Sequence, residues 1–234
     1  MNQIPKILAI IPARAGSKRL PGKNTKKMAG KPLIQWTMEA AKNCKLLAEV
    51  IVSTDDESIV ELAKKTDVNV PFLRPLELAQ DESTSIDVIK HAVEFFKKHG
   101  RKFDYIMLLQ PTSPLRTAWH IDEAINLLKD KNADAIISVC PTEHPPLWSN
   151  TLDEDGKMDL FISSDIKNTR SQDLPVYYRL NGAIYITKIE RLLSENTMFI
   201  KDNIFAYKMT TKSSIDIDES IDFTLAEAIM EKEN

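Results

Sequence analysis

Short, uninterrupted apolar runs alternate along this chain with longer stretches whose apolar residues recur every three or four positions. The runs KILAII (6–11), EVIVSTDD (49–56), FDYIMLLQ (103–110), DAIISVCP (134–141) and GAIYIT (182–187) predict strands buried on both faces. Between them, helical spacing places Leu33, Trp36, Ala40 and Cys44 on one face after Pro32, and predicts further helices over ESIVELAKKT (57–66), 85–98, 117–130, about 188–195 and from about 219. Strands covered on both sides and separated by helices require a Rossmann-like α/β fold, a mostly parallel sheet with helices on both faces. VNVPFLRP (68–75) and NIFAYKM (203–209) are expected to be extended. In such folds a ligand sits beyond the carboxyl ends of the strands, where the loop after residue 11, Asp55, Asp56 and Gln110 all fall.

The cadence breaks between residues 143 and 180, where TEHPPLW, DEDG and NTRSQDLPVYYR carry neither period. A stretch of that length is too long for an ordinary connection. The expected organisation is therefore a core of 1–142 and 181–234 with a protruding segment at 143–180 that covers a pocket or meets a second copy. Tyr177 and Tyr178 are expected to pack against it.

The first loop, ARAGSKRLPGKNTKKMAGK, concentrates seven cations in a chain whose formal charge is −3. That overall balance gives no support to general attraction for nucleic acid, so any anion site must be local. Glycines that let amides point inward, together with Arg and Lys, suit a polyphosphate, although a solvated basic surface has the same composition. The spacing of Gly16, Gly22 and Gly30 satisfies neither the dinucleotide fingerprint nor the P-loop. Two cysteines without a neighbouring Cys/His cluster suit buried apolar roles in a reducing compartment. The absence of a signal-like segment or a long apolar run leads us to expect a cytoplasmic protein without a membrane partner. Asp216 and Asp218, two apart, direct both carboxylates to one side of an extended backbone, an arrangement suited either to solvent or to a shared cation.

Four blocks in order, IPARAGSKRLPGKN, LLQPTSPLR, YYRLNGAIYI and SIDIDES, resemble the cytidylyltransferases that activate nine-carbon sialic-type sugar acids. The resemblance spans essentially the whole chain. It implies transfer of CMP from CTP to the anomeric hydroxyl of the acid, with Mg²⁺ assistance, by a homodimer with a small dimerisation excursion. Arg14, Lys23, Asp216 and Asp218 are then catalytic, with Asp216 and Asp218 as the metal pair. Ala13, Arg14, Ser17, Lys23, Asn24, Arg74, Asp81, Ser83 and Ser85 fall to the nucleotide. Gln110, Thr112, Ser113, Arg116, Arg179 and Asn181 fall to the sugar. Some alternatives remain open on the residues themselves. Ser17, Lys18 and Arg19 suit the cradle or solvent, Ser85 suits the nucleotide or a helix cap, and Arg116 suits a loop anchor or the sugar carboxylate. Asp222 is expected to serve the first turn of the last helix. Two other activities are compatible with parts of the pattern: a 3-deoxy-manno-octulosonate cytidylyltransferase, which also carries a basic PAR loop, and a non-catalytic CTP sensor.

Overall fold

A computed structural model describes residues 5–16, 19–80 and 82–233. In chain order the elements are β1 (Ile7–Ala13), β2 (Lys27–Met28), β3 (Lys31–Pro32), α1 (Leu33–Asn43), β4 (Glu49–Thr54), α2 (Glu57–Thr66), α3 (Ser85–Lys98), β5 (Tyr105–Leu108), α4 (Ala118–Asp130), β6 (Ala135–Pro141), β7 (Tyr178–Lys188), α5 (Ile189–Glu195), β8 (Ile204–Lys208) and α6 (Ser220–Glu233). The main sheet runs β4-β1-β5-β7-β6-β8, and β2 and β3 form a separate small hairpin.

Alternation along β1 shows why both sides must be covered. Ile7, Ala9 and Ile11 join a core with α1, α2 and α4, through Ile34, Met38, Ile59, Ile121 and Ile125. Leu8 and Ile10 point the other way, onto Ile89, Ala92 and Phe96 of α3 and Leu192 of α5. Local chemistry sets the helix starts. Asp56 caps α2 by accepting from Ser58 N at 2.8 Å, and Thr84 with Asp87 closes a reciprocal box at the start of α3. The cap of α3 is thus Thr84, whose backbone is extended, and Ser85, already helical, is not it.

The sheet is mostly parallel, as expected: β1 pairs in parallel with β4 and β5, and β6 with β8, and β7 alone lies antiparallel, between β5 and β6. The stretch at 68–75, expected to be extended, meets the sheet edge through isolated bridges at Ile51↔Asn69 and Thr54↔Leu73, with Pro71 between them and Pro75 at its end. The irregular segment ends earlier than expected, since Tyr178, Arg179 and Leu180 already pair with Pro141, Cys140 and Val139. Its base is closed by Thr142 N donating to Tyr177 O at 2.9 Å, and within it the regular structure consists of two three-residue 3-10 turns, at Pro146–Trp148 and Ser171–Asp173. Cys44 and Cys140 are free and buried, as their expected apolar role requires. Among the described residues no helix is long and apolar enough to cross a membrane.

A third apolar cluster matters most for the site. Ile217, wholly buried, packs with Met28 and Leu33 beside the basic loop and with Phe223, Ala226 and Met230 of α6. That contact brings the far end of the chain to its beginning, and because Ile217 points inward, its neighbours Asp216 and Asp218 turn the other way.

Candidate active site

A cleft of about 430 Å³ opens beyond the carboxyl ends of β1 and β5. One wall is the first loop, through Arg14, Arg19, Lys23 and Asn24, and the facing wall carries Gln110, Thr112 and Asp218. Gly22, at φ +67°, reverses the loop and accepts from Thr25 N and Lys26 N, both at 3.1 Å. The turn sends the Lys23 side chain, only 15% exposed, back toward the C-terminal segment. Lys23 Nζ donates to Ile217 O at 2.7 Å and lies 3.6 Å from Asp218 Oδ1. Arg19 Nη1 reaches Asp218 Oδ2 at 2.7 Å. Asn24, 8% exposed, donates to Arg14 O at 3.4 Å. The backbone of the loop is also tied down, because Asp55 at the end of β4 accepts from Ala15 N at 3.0 Å.

The acidic pair is asymmetric. Asp218 is half-exposed and shared between the two cations. Asp216 is more enclosed, and among the described residues its Oδ1 is buried without a hydrogen-bond partner. Burial pushes its pKa up; the Thr112 hydroxyl opposes that, the Asp218 charge adds to it and Lys23 opposes it. Two carboxylates two residues apart, one half-exposed at the cleft and one with an unpaired buried oxygen, fit a hard cation that completes its shell from water and phosphate. The described residues contain no group of three or more His, Cys, Asp or Glu that could cage a metal alone. Magnesium dehydrates reluctantly and is commonly held by one or two carboxylates plus substrate oxygens, so this donor set suits it.

The structure sorts the remaining candidates. Ala13 is buried at the end of β1, so its backbone is what it can offer a ligand. Arg74 is 5% exposed and lies behind the loop, with Nε donating to Ser53 Oγ at 3.1 Å and Nη2 to Ser53 O. Burial pushes its pKa down, against the Asp55 charge. Ser83 Oγ donates to Glu77 O at 2.9 Å, and Ser85 is exposed at the start of α3; neither lines the cleft. Ser17, Lys18 and Asp81 lie outside the described residues.

On the sugar side, Gln110 and Thr112 line the cleft, whereas Ser113 is fully buried beneath it. Arg116 resolves as a loop anchor: it is 1% exposed, and Nη1 donates to Gln110 O at 3.1 Å and Ala183 O at 3.2 Å, joining the PTSP turn to β7. Desolvation lowers its pKa to about 9. Its Nε and Nη2 are buried without a hydrogen-bond partner among the described residues. Arg179 is exposed outside the cleft and donates to its neighbour Leu180 O at 3.4 Å. Asn181 is corrected as a sugar contact, because it is 1% exposed and both ends of its amide are bonded within the protein. Asp222 does serve the start of α6, with Oδ2 accepting from Asp218 N at 3.0 Å and Glu219 N at 2.7 Å. Sequence reasoning missed Asp55 as the tether of the loop and Gly182 as the point of closest approach. Glycine at 182 was visible, but its neighbours were not. An added Cβ would lie 2.5 Å from Gln110 Oε1 and 3.6 Å from Asp216 Oδ2.

The sequence model of the cytidylyltransferase family matches residues 8–234. The chain is also 38% identical over 232 residues to the CMP-N,N'-diacetyllegionaminic acid synthase of Legionella pneumophila, covering 97% of each. It belongs to the CMP-sialic-acid-type cytidylyltransferase family. Within that family, the N-acylneuraminate cytidylyltransferase of Escherichia coli is 37% identical across 98% of this chain and 53% of its own length, so the chain spans about half of that relative. The pseudaminic acid cytidylyltransferase of Campylobacter jejuni is 32% identical, with 93% of this chain and 94% of that one covered. A solved CMP:2-keto-3-deoxy-manno-octonic acid synthetase complexed with CTP superposes with a TM-score of 0.70 at 21% identity, over 98% of this chain and 100% of that one. At that identity the likeness is one of fold.

Proposed function

We propose that this cytidylyltransferase transfers CMP from CTP to the anomeric hydroxyl of a nine-carbon, sialic-type sugar acid and releases pyrophosphate. The observation that carries the reading is the convergence of Arg14, Arg19 and Lys23 with Asp218 on one cleft whose facing wall offers Gln110 and Thr112, with Asp216 enclosed beside Thr112. The hydroxyl oxygen bonds to the α-phosphorus of CTP and its proton passes to solvent water, the bond from that phosphorus to the bridging oxygen breaks, and the electron pair leaves on pyrophosphate. Negative charge grows on the leaving group, and cations already fixed beside it stabilise the transition state more than the ground state. Lys23 and Arg14 serve this role. Lys23 is held in place beforehand by Ile217 O, so little reorganisation accompanies reaction. Asn24 steadies the loop through Arg14 O. The amide of Gln110 and the hydroxyl of Thr112 orient the acceptor.

Asp216 and Asp218 would hold Mg²⁺ together with the phosphates. When bound, the ion supplies charge neutralisation on the triphosphate and acidifies a hydroxyl that touches it. Two free, buried cysteines suit the reducing cytoplasm as its compartment.

Mixing the protein with CTP, Mg²⁺ and separate sugar acids and measuring pyrophosphate tests the reading. Release with N-acetylneuraminic, legionaminic or pseudaminic acid is expected, and chelation should abolish it. Release with 3-deoxy-manno-octulosonate alone, or CTP binding without release, would overturn it.

The segment 143–180, whose last three residues belong to β7, is the proposed dimerisation element, with the rest of the chain as the CTP-binding core. It leaves Leu152, Met158, Leu160 and Val176 from 58% to 88% exposed on the protruding side, more apolar surface than a solitary loop of a monomer carries at ease. Light scattering over a range of concentrations should give twice the 26.5 kDa of one chain. A constant single-chain mass would remove dimerisation.

A further inference from the structure

The polar node beneath the cleft has no assigned role. Along β6 the register moves from Ile137↔Tyr185 to Val139↔Leu180, so Ser138 alone faces the four residues Asn181 to Ile184 of β7. This is a pronounced bulge, and side chains rather than the ladder hold its shape. Ser138 Oγ donates to Asn181 Oδ1 at 2.6 Å and accepts from Ile184 N at 2.8 Å. Asn181 Oδ1 also accepts from Ala183 N at 3.2 Å. The other end of the amide reaches out of the sheet: Nδ2 donates to Ser214 Oγ at 2.8 Å and lies 3.3 Å from Met209 Sδ. Ser214 Oγ in turn donates to Thr210 O at 2.6 Å. Ser138 and Ser214 are fully buried and Asn181 is 1% exposed, so no arm of the node is open to a ligand.

Two consequences reach the cleft. The bulge places Gly182 at φ +73° close to Gln110 Oε1 and Asp216 Oδ2, so a Cβ there would carry a strained backbone and displace the Gln110 amide. The bond to Ser214 fixes the chain two residues before Asp216, the carboxylate with an unpaired buried oxygen. An amide carries two donors and two acceptor positions, and the clamp uses both acceptors, for Ser138 and the bulge backbone, and a donor for Ser214. A buried network satisfied at every member is also rigid.

We infer that Asn181, with Ser138 and Ser214, is a positioning device that sets Asp216 against Gln110 across Gly182, and that Asn181 does not itself touch the sugar. The inference rests on the cytidylyl-transfer reading. Its function is geometric, since a misplacement on the order of 1 Å can cost roughly 10²-fold in rate.

Steady-state kinetics with CTP and the preferred sugar acid on Ser214→Ala, Ser138→Ala, Asn181→Ala and the Asn181→Ala/Ser214→Ala pair provide the test, each variant being assayed at least 20 °C below its own melting midpoint. Wild-type pyrophosphate release comes first; if it is absent, the functional reading fails rather than the clamp. With active wild type, each serine variant should lose about tenfold in kcat while the KM for the sugar moves by less than about threefold. The double variant should be no slower than about the worse single one, because members of one network do not add. Should Asn181→Ala fail to fold, the two serine variants decide. The clamp is overturned if Asn181→Ala raises the sugar KM while both serine variants keep wild-type kinetics, the signature of a direct contact. It is equally overturned if the variants melt earlier but keep wild-type kcat, or if the double variant shows the full product of the single losses.

Discussion

Lys23→Ala should lower kcat by about 10²-fold with only a small shift in the melting midpoint, since removing a preorganised donor aimed at developing charge commonly costs about 10²–10³. The direction follows from what the ammonium touches. In the free protein it donates to Ile217 O and lies 3.6 Å from Asp218, so the charge is already at the mouth of the cleft, held by backbone from the opposite end of the chain. It belongs to none of the apolar clusters, and its loss removes the bond to Ile217 O and a 3.6 Å pairing with half-exposed Asp218, so the midpoint should move by only a few degrees. Arg19→Ala removes the shorter contact to Asp218, yet its side chain is 69% exposed, which leaves it mobile enough for solvent to take over much of its role. The comparison matters because distance alone would rank Arg19 first. Single-turnover measurement of CMP transfer separates the effect on chemistry from CTP affinity. A change of less than about threefold in the Lys23 variant would show that the loop binds phosphate without assisting its departure.

The features legible in the sequence share a physical property: they depend on neighbours close along the chain. Buried runs and helical stripes are local, and the α/β layering follows from them. The direction of β7 is not local. The run GAIYIT carries no sign of whether it enters the sheet parallel or antiparallel, and only pairing with β5 and β6 decides it. The same limit governs the site. Lys23, Asp216, Gln110 and Thr112 stand together because of chain ends and turns that motif order already implied. Asn181 lies two residues from Arg179 in a block resembling a ligand-binding sequence, and a polar amide looks the same whether it faces a sugar or two buried serines. Its partners lie 43 and 33 residues away, at Ser138 and Ser214. Arg116 differs in that both readings were open, and burial alone chose the anchor. Thr84 took the cap from Ser85 because both are cap-forming residues, one position apart, and only Thr84 has Asp87 three residues on.

Asp216→Asn should bring opposite changes in activity and stability. An amide has nearly the same shape, keeps an oxygen for Thr112 and lacks the negative charge, so the substitution tests charge with little disturbance of packing. Activity should fall by at least about 10²-fold, the scale on which loss of a preorganised electrostatic group acts. Stability should rise. Burial makes the ionised form of Asp216 costly, Asp218 repels it, and neither Thr112 nor Lys23 fully offsets this, so its pKa stands above the ordinary aspartate value. For a carboxyl group with a raised folded-state pKa, the folded protein holds the proton more tightly than the unfolded chain. Stability therefore drops as pH climbs from the unfolded to the folded pKa, and at neutral pH the whole cost is present. Removing the charge removes that cost, and each kcal/mol regained should raise the melting midpoint by about 2–4 °C for a chain of this size. Asp218→Asn offers the contrast: its carboxylate is half-exposed and paired with Arg19 and Lys23, so activity should fall without a gain in stability. Thermal melts at pH 7.5 in chelator, alongside pyrophosphate assays with magnesium, read both quantities. If Asp216→Asn melted several degrees below wild type, the carboxylate would be a structural partner of Thr112 rather than a charge kept at a cost for the reaction.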